Sequence, residues 1–169
     1  KDVDRASKDL AEERGACPDA ADYGIKERFS NKTAIAPTAS ISIICGGTSP
    51  GVEPIAANSF THKTLSGSFN VRNRYLEKIL EKHNKNDDET WSSITTNQGS
   101  VSHLDFLTQQ EKDVFKTAFE LDQKWIVELG ADRTPHISQA QSINIFVPAD
   151  IHKKELHQIH FQAWKKGLK

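Results

Sequence analysis

The sequence contains no methionine and only two cysteines, Cys17 and Cys45, in 169 residues. A chain without Met that begins at Lys1 reads as a piece of a longer protein or a processed product. The two cysteines form no CxxC and are too few for a disulfide framework, so a reducing, cytoplasmic setting is expected. No apolar run approaches the ~20 residues of a membrane span, and no signal peptide is visible at the start. Neither sign of charge is in excess: 22 Lys and Arg stand against 23 Asp and Glu. Nucleic-acid binding usually leaves a basic stripe, because phosphate contacts dominate affinity. Here the clearest positive cluster is Lys165, Lys166 and Lys169 at a helix end, where cations complement the helix dipole. Neither a nucleic-acid partner nor a membrane is expected. Apolar residues are scarce as well, at 36%, below the roughly 45–50% of an average globular chain. So thin a core suggests that the chain packs against further protein.

Local signals place the elements. Residues 4–14 are helix-prone, with Gly15 as a stop, and residues 16–31 read as a connection. Lys32–Pro37 looks like a short buried strand, ended by a proline with no N–H. With the residues that follow, a loop-bearing strand is expected over 32–42. Two β-leaning runs around Ser66 and Gly67 suggest a hairpin-like region over 58–71. Tyr75, Leu76, Ile79 and Leu80 share one face of a helix near 74–82. A polar stretch after Lys82 precedes a short helix within TWSSITTNQGS. Thr108 and Glu111 form a T-x-x-E capping box at the start of a helix over 108–129. Its stripe is Val114, Ala118, Leu121, Trp125 and Leu129, with Gly130 at the expected stop. Residues 141–147 read as a strand closed by Pro148, and Asp150 can cap a last helix over 151–168. The order suggests a single partial domain, 1–169, of α/β class: a slice of an α/β sheet or barrel with open edges.

The chemistry-bearing stretch is PTASISIICGGTSPG, 37–51. It follows a strand directly, and ligands in α/β sheets sit beyond the carboxyl ends of strands. Thr38, Ser40 and Ser42 supply hydroxyls, and small Ala39 lets backbone N–H groups approach an anion. A helix beginning near Ser40 would add its N-terminal partial charge. These residues suit a phosphate, or they merely cap a helix; both readings stand. No Gly-Lys-Ser/Thr follows, so this is not a Walker loop. Gly46, Gly47, Pro50 and Gly51 permit tight turns. Glu53 reads as a structural cap or pair rather than a functional carboxylate. Cys45 follows Ile41, Ile43 and Ile44 and reads as a buried core thiol rather than a nucleophile. Nothing near Cys17 marks it as activated. His152, His157 and His160 are spaced for one helix face, but no Cys or carboxylate pattern completes a metal site, and a solvated face is the better reading.

Three stretches together resemble the class I ribonucleotide reductase large subunit, in the C-terminal part of its catalytic barrel. The first, AIAPTASISIICGGTSPGVEPIAANSFTHKTLSGSF (34–69), is similar to the family's substrate-diphosphate loop. There a Gly/Ser-hydrophobic-Glu-Pro motif (Gly51-Val52-Glu53-Pro54) and a Leu-Ser-Gly-x-Phe motif (65–69) follow. The second, SQAQSINIF (138–146), resembles the family's Gln-Ser-x-Asn strand. The third, HFQAWKKGLK (160–169), is similar to the helix leading to the two adjacent tyrosines of radical transfer. The motifs occur in the family's order and spacing over residues 15–169.

The resemblance implies a fragment of a ten-stranded α/β barrel. It implies that Thr38, Ala39, Ser40, Ile41 and Ser42 hold substrate phosphate through hydroxyls and backbone N–H groups. Ile41 replaces a frequent Ser or Thr, which removes one hydroxyl and puts a role for Ser42 in doubt. The approach also departs, with Arg28-Phe29-Ser30-Asn31 where the family often has Gly-Leu-Arg-Asn. The thiyl-forming Cys, the redox Cys pair and the nearby Asn and Glu belong upstream, and neither Cys17 nor Cys45 takes their places. The segment therefore carries no catalytic residue, metal or cofactor of its own. The full enzyme would be a ribonucleoside-diphosphate reductase making deoxyribonucleotides for DNA synthesis. It would need the rest of the large subunit, a metal-containing, radical-generating small subunit and nucleotide effectors. Thioredoxin or glutaredoxin would supply reducing power, and a nucleoside diphosphate would be the substrate. Two alternatives remain: a split-subunit or scaffold module complementing a separately encoded half, and a generic phosphate-binding domain.

Overall fold

A computed structural model describes residues 1–65 and 67–169. The elements are helices α1 (Asp2–Arg14), α2 (Pro18–Asp22) and α3 (Ala39–Ile44), strands β1 (Ser59–Thr64) and β2 (Gly67–Arg72), then helices α4 (Arg74–Lys82), α5 (Asp88–Thr96), α6 (Gln109–Val114), α7 (Lys124–Arg133) and α8 (Lys153–Lys165). The chain divides into two compact units. One holds Lys1–Ala36, Val127–Ser142 and Gln158–Lys169; the other holds Pro37–Ile126 and Ile143–His157.

The second unit carries the main core. Leu76 and Leu80 of α4, Trp91 and Ile94 of α5, then Val101, Leu104, Leu107 and Phe115 bury together. Full burial of each such side chain contributes about 1.5–3 kcal/mol. The helices around this core are fixed by local polar chemistry. Asn73 caps α4, its side chain accepting from the N–H groups of Tyr75 and Leu76. Asp87 caps α5 through Thr90 N–H, which holds the Asp87 carboxyl below its ordinary range. The capping box of Thr108 and Glu111 starts α6. The Thr108 N–H, and then the His83 ring, keep the Glu111 carboxyl low. Strands β1 and β2 pair antiparallel, Ser59 opposite Arg72 and Thr64 opposite Gly67. Ser66 of the expected turn lies outside the described residues.

The first unit is held by polar anchors. Ser7 of α1 is buried, and its hydroxyl accepts from the N–H groups of Arg28 and Phe29. Lys32 pairs with Asp4 at 2.7 Å and Glu27 at 3.2 Å. The Thr33 carbonyl accepts from the N–H groups of Ser138 and Gln139. Glu128 of α7 pairs with Lys166 at 2.6 Å.

Several expectations are corrected. Residues 32–38 carry no regular secondary structure, and Ala39–Ile44 is helical, so there is no strand over 32–42. The alternation Ser40, Ile41, Ser42, Ile43 has strand period, but turn bonds override it: Cys45 N–H bonds to Ile41 O and Gly47 N–H to Ser42 O. Gly46 and Gly47 sit at φ 97° and 77°, the left-handed backbone that ends helices. The helix expected over 108–129 is broken. Thr117 and Glu120 form a second capping box around a 3-10 turn at Ala118–Glu120, and α7 then runs through Gly130 to Arg133. Val114, Trp125 and Leu129 are consequently exposed. Residues 141–147 carry no regular secondary structure and belong to no sheet among the described residues. The last helix starts at Lys153, and its first-turn side-chain acceptor is His152, which takes the Lys154 N–H, not Asp150. The fold is thus mixed helix and strand, and the described residues contain no parallel pair and no closed barrel. None of their helices is long and apolar enough to cross a membrane.

Candidate functional site

The loop from Pro37 to Gly51 is pinned at both ends. Thr38 N–H and Thr38 Oγ1 both donate to the Pro50 carbonyl, at 3.2 and 2.9 Å. This double bond from one residue to one acceptor closes the loop at its neck. Ser42 N–H bonds to Thr38 O at 2.7 Å, so intrahelical bonding starts at Thr38. The N–H groups of Ala39, Ser40 and Ile41 therefore lie in the first turn, beyond reach of intrahelical acceptors. Ala39, Ser40 and Ile41 are all exposed.

The three hydroxyls differ. Thr38 donates its proton to Pro50, and Ser42, only 6% exposed, donates its own to Ala39 O at 2.7 Å. A hydroxyl has one proton to give, so neither can donate to a bound anion without breaking a loop bond. Ser40 faces outward. Of the five residues singled out in sequence, the structure gathers Ala39, Ser40 and Ile41 at the open turn and uses Thr38 and Ser42 to build it.

The opposite end of α3 meets a cation. A β-carbon on Gly46 would stand 2.6 Å from Arg74 Nη1, so the guanidinium lies directly over the glycine. Arg74 also donates to the Tyr75 hydroxyl at 2.8 Å. That bond and the guanidinium charge hold the Tyr75 phenol below its ordinary range. A positive charge at this end complements the C-terminal dipole of α3. Nothing in the sequence joins Arg74 to Gly46; the packing alone brings them together.

Behind the loop, Glu53 is 6% exposed. Its Oε1 accepts the Asn144 N–H at 2.5 Å. Ser49 Oγ donates to the Glu53 carbonyl. A β-carbon on Gly51 would overlap Glu53 Oε2 and stand 3.2 Å from Cδ. The motif Gly51-Val52-Glu53-Pro54 is legible as a pattern, but its contact with Asn144 is not. Two positions on, Phe146 N–H donates to Gln123 Oε1 at 2.8 Å. Gln123 is buried, and its amide donates in turn to the carbonyls of Ala118 and Leu121.

Cys45 is exposed, not a core thiol. The apolar face of α3 also points outward, with Ile41 at 56%, Ile43 at 58% and Ile44 at 84% exposure. Cys17 is half-buried. His152, His157 and His160 are exposed, and no cluster of three metal-ligating side chains occurs among the described residues.

The family model of the ribonucleotide reductase barrel domain matches residues 5–169. The ribonucleoside-diphosphate reductase large subunit of Invertebrate iridescent virus 6 is 52% identical over 160 residues, covering 92% of this chain and 16% of that protein. The ribonucleoside-diphosphate reductase large chain 2 of Saccharomyces cerevisiae is 37% identical over 147 residues, covering 86% and 17%. The solved Actinobacillus ureae class Id ribonucleotide reductase alpha subunit aligns with a TM-score of 0.79 at 38% identity, covering 98% of this chain and 30% of that one. The chain thus spans less than a third of the length of these relatives. With a match reaching from Arg5 to its last residue, the chain belongs to the ribonucleotide reductase barrel-domain family.

Proposed function

We propose that this chain is the substrate-phosphate segment of a ribonucleoside-diphosphate reductase large subunit, which reduces ribonucleotides to deoxyribonucleotides by a radical mechanism. The carrying observation is the open first turn of α3, with exposed Ser40 beside the N–H groups of Ala39, Ser40 and Ile41, within a segment matched to that family along its length. The diphosphate of a nucleoside diphosphate is held there by these three N–H groups and the Ser40 hydroxyl. Thr38 and Ser42 serve the same anion indirectly, by fixing the turn that aims the donors. Oriented N–H groups at a helix start favour an anion at little reorganisation cost.

The remainder of the large subunit completes a ten-stranded α/β barrel and covers the outward isoleucines of α3. A metal-containing small subunit supplies the radical, thioredoxin or glutaredoxin the reducing equivalents, and nucleotide effectors act outside this segment. The segment holds the substrate's handle and leaves the reacting groups to the rest of the enzyme. The test measures nucleoside diphosphate binding to the intact large subunit bearing this segment, with Ser40→Ala as the variant. Weaker binding is expected; an unchanged dissociation constant overturns the phosphate assignment.

A further inference from the structure

Glu53 is buried, belongs to none of the residues assigned to phosphate, and joins two parts of the chain. Its carboxylate accepts the Asn144 N–H through Oε1, while Oε2 fills the space that a β-carbon on Gly51 would take. Gly51 follows Pro50, whose carbonyl accepts both donors of Thr38. Thr38 in turn supplies the carbonyl that starts α3. A continuous mechanical chain therefore runs from the 143–147 segment through Glu53, Gly51, Pro50 and Thr38 to the open turn. Glycine at 51 is what permits the approach, since any β-carbon would overlap the carboxylate. The carboxylate has little room to yield, being buried and pinned by a backbone N–H.

We infer that Glu53 is a positioning residue for substrate phosphate, setting the orientation of the first turn of α3 through Gly51 and the Thr38–Pro50 neck. The inference rests on the phosphate reading of that turn. Glu53 touches no substrate; it fixes the place of donors that do. Displaced donors lose binding free energy wherever the phosphate is held, in the ground state and the transition state alike. The signature is a higher KM with kcat retained.

The experiment uses the intact large subunit bearing this segment, assayed with its radical-generating subunit, in four forms: wild type, Ser40→Ala, Glu53→Ala and Glu53→Gln. It reads KM and kcat for a nucleoside diphosphate and the inhibition constant of inorganic pyrophosphate. In Glu53→Ala, KM and the pyrophosphate constant are expected to rise together by roughly tenfold, with kcat changing less than about twofold. Glu53→Gln keeps an acceptor for the Asn144 N–H and is expected to recover most of the loss. If Ser40→Ala raises both constants and Glu53→Ala raises neither, the positioning role is overturned and the phosphate reading stands. If Ser40→Ala moves neither constant, the phosphate reading itself fails. A fall in kcat at unchanged KM in Glu53→Ala also overturns the positioning role. Should Glu53→Ala fail to fold, Gly51→Ala replaces it: its methyl displaces the carboxylate, and the same rise in both constants is expected. Wild-type constants in Gly51→Ala overturn the inference.

Discussion

Asn58 and Gly99 are joined twice, because the Asn58 backbone N–H and its Nδ2–H both donate to the Gly99 carbonyl, at 3.1 and 2.9 Å. Nδ2 also donates to Phe115 O at 2.7 Å, and Oδ1 accepts from Asn73 Nδ2. A residue only 1% exposed thereby uses its whole amide to bind three separate stretches. Asn58→Ala takes from the buried Phe115 carbonyl its side-chain donor, at a cost of about 1–3 kcal/mol, while the Gly99 carbonyl keeps the backbone N–H of residue 58. Urea unfolding is expected to give a loss of at least that size. A loss below about 0.5 kcal/mol, the scale of an ordinary surface change, contradicts the role assigned to the amide.

Gly99→Ala tests the same junction from the other side. Gly99 sits at φ 80°, and its β-carbon would lie 2.7 Å from Ala57 Cα. Strain at positive φ costs of order 1–3 kcal/mol, and the backbone overlap adds to it. Gly24, at φ 69° with open space around it, is the control. Gly24→Ala should cost clearly less, and equal losses at the two sites would show that the collision with Ala57 is absent.

Leu80 and Ile44 separate what is buried from what merely looks apolar. Leu80 is fully buried in the core, whereas Ile44 is 84% exposed. Leu80→Ala should cost about 2–5 kcal/mol, and Ile44→Ser should stay within about 0.5 kcal/mol in the chain as described. Chemical denaturation of the two variants side by side gives the comparison; similar losses would mean that α3 packs its isoleucines inward.

Much of this architecture is legible in sequence, and what is not has a specific cause. Helices α1, α4 and α6 announce themselves by local signals: a Gly15 stop, an apolar face at helical spacing, and Thr108 with Glu111. These signals act within one turn, so they need no knowledge of the fold. Helix α3, whose start near Ser40 the sequence suggests, is partly hidden by the strand-like alternation of Ser and Ile, which the bonds of the Gly46-Gly47 turn override. The break at Thr117 hides likewise, since the stripe from Val114 to Leu129 keeps helical spacing through a second cap. At the candidate site, sequence finds the hydroxyls but not their employment. Whether Thr38, Ser40 or Ser42 has a proton to spare depends on Pro50 and Ala39, and only the folded loop decides it.

That difference among the hydroxyls is measurable. In the intact subunit, Ser40→Ala is expected to weaken nucleoside diphosphate binding by roughly 0.5–3 kcal/mol, the range for a hydrogen bond reaching up to a charged group. Ser42→Ala removes a bond inside the helix and no donor to the ligand, so its effect on binding should be smaller. Calorimetric titration ranks the two, and a larger loss at Ser42 reverses the assignment.

Acid should loosen the second unit through its caps. The Asp87 and Glu111 carboxyls are held below their ordinary values by N–H groups at helix starts. The unfolded chain therefore takes up protons first, and folding stability drops as pH falls. The contribution is fully present above about pH 4–4.5, the unfolded range for these groups, and disappears through their lower folded values. Urea midpoints measured from about pH 6 downward should fall in this window, and the Glu111→Gln variant should fall less steeply. A parallel pH profile for the variant would show that Glu111 does not contribute to the acid limb.

Side chains rather than a neighbouring strand occupy the amides of Asn144 and Phe146: the first meets Glu53, the second Gln123. Amide exchange along this stretch would then alternate, slow at 144 and 146 and faster at Ile145. Such a record looks like one edge of a ladder, yet two distant side chains write it. A single substitution at Glu53 would erase protection at one amide and leave the other, an independence that no pair of hydrogen-bonded strands allows.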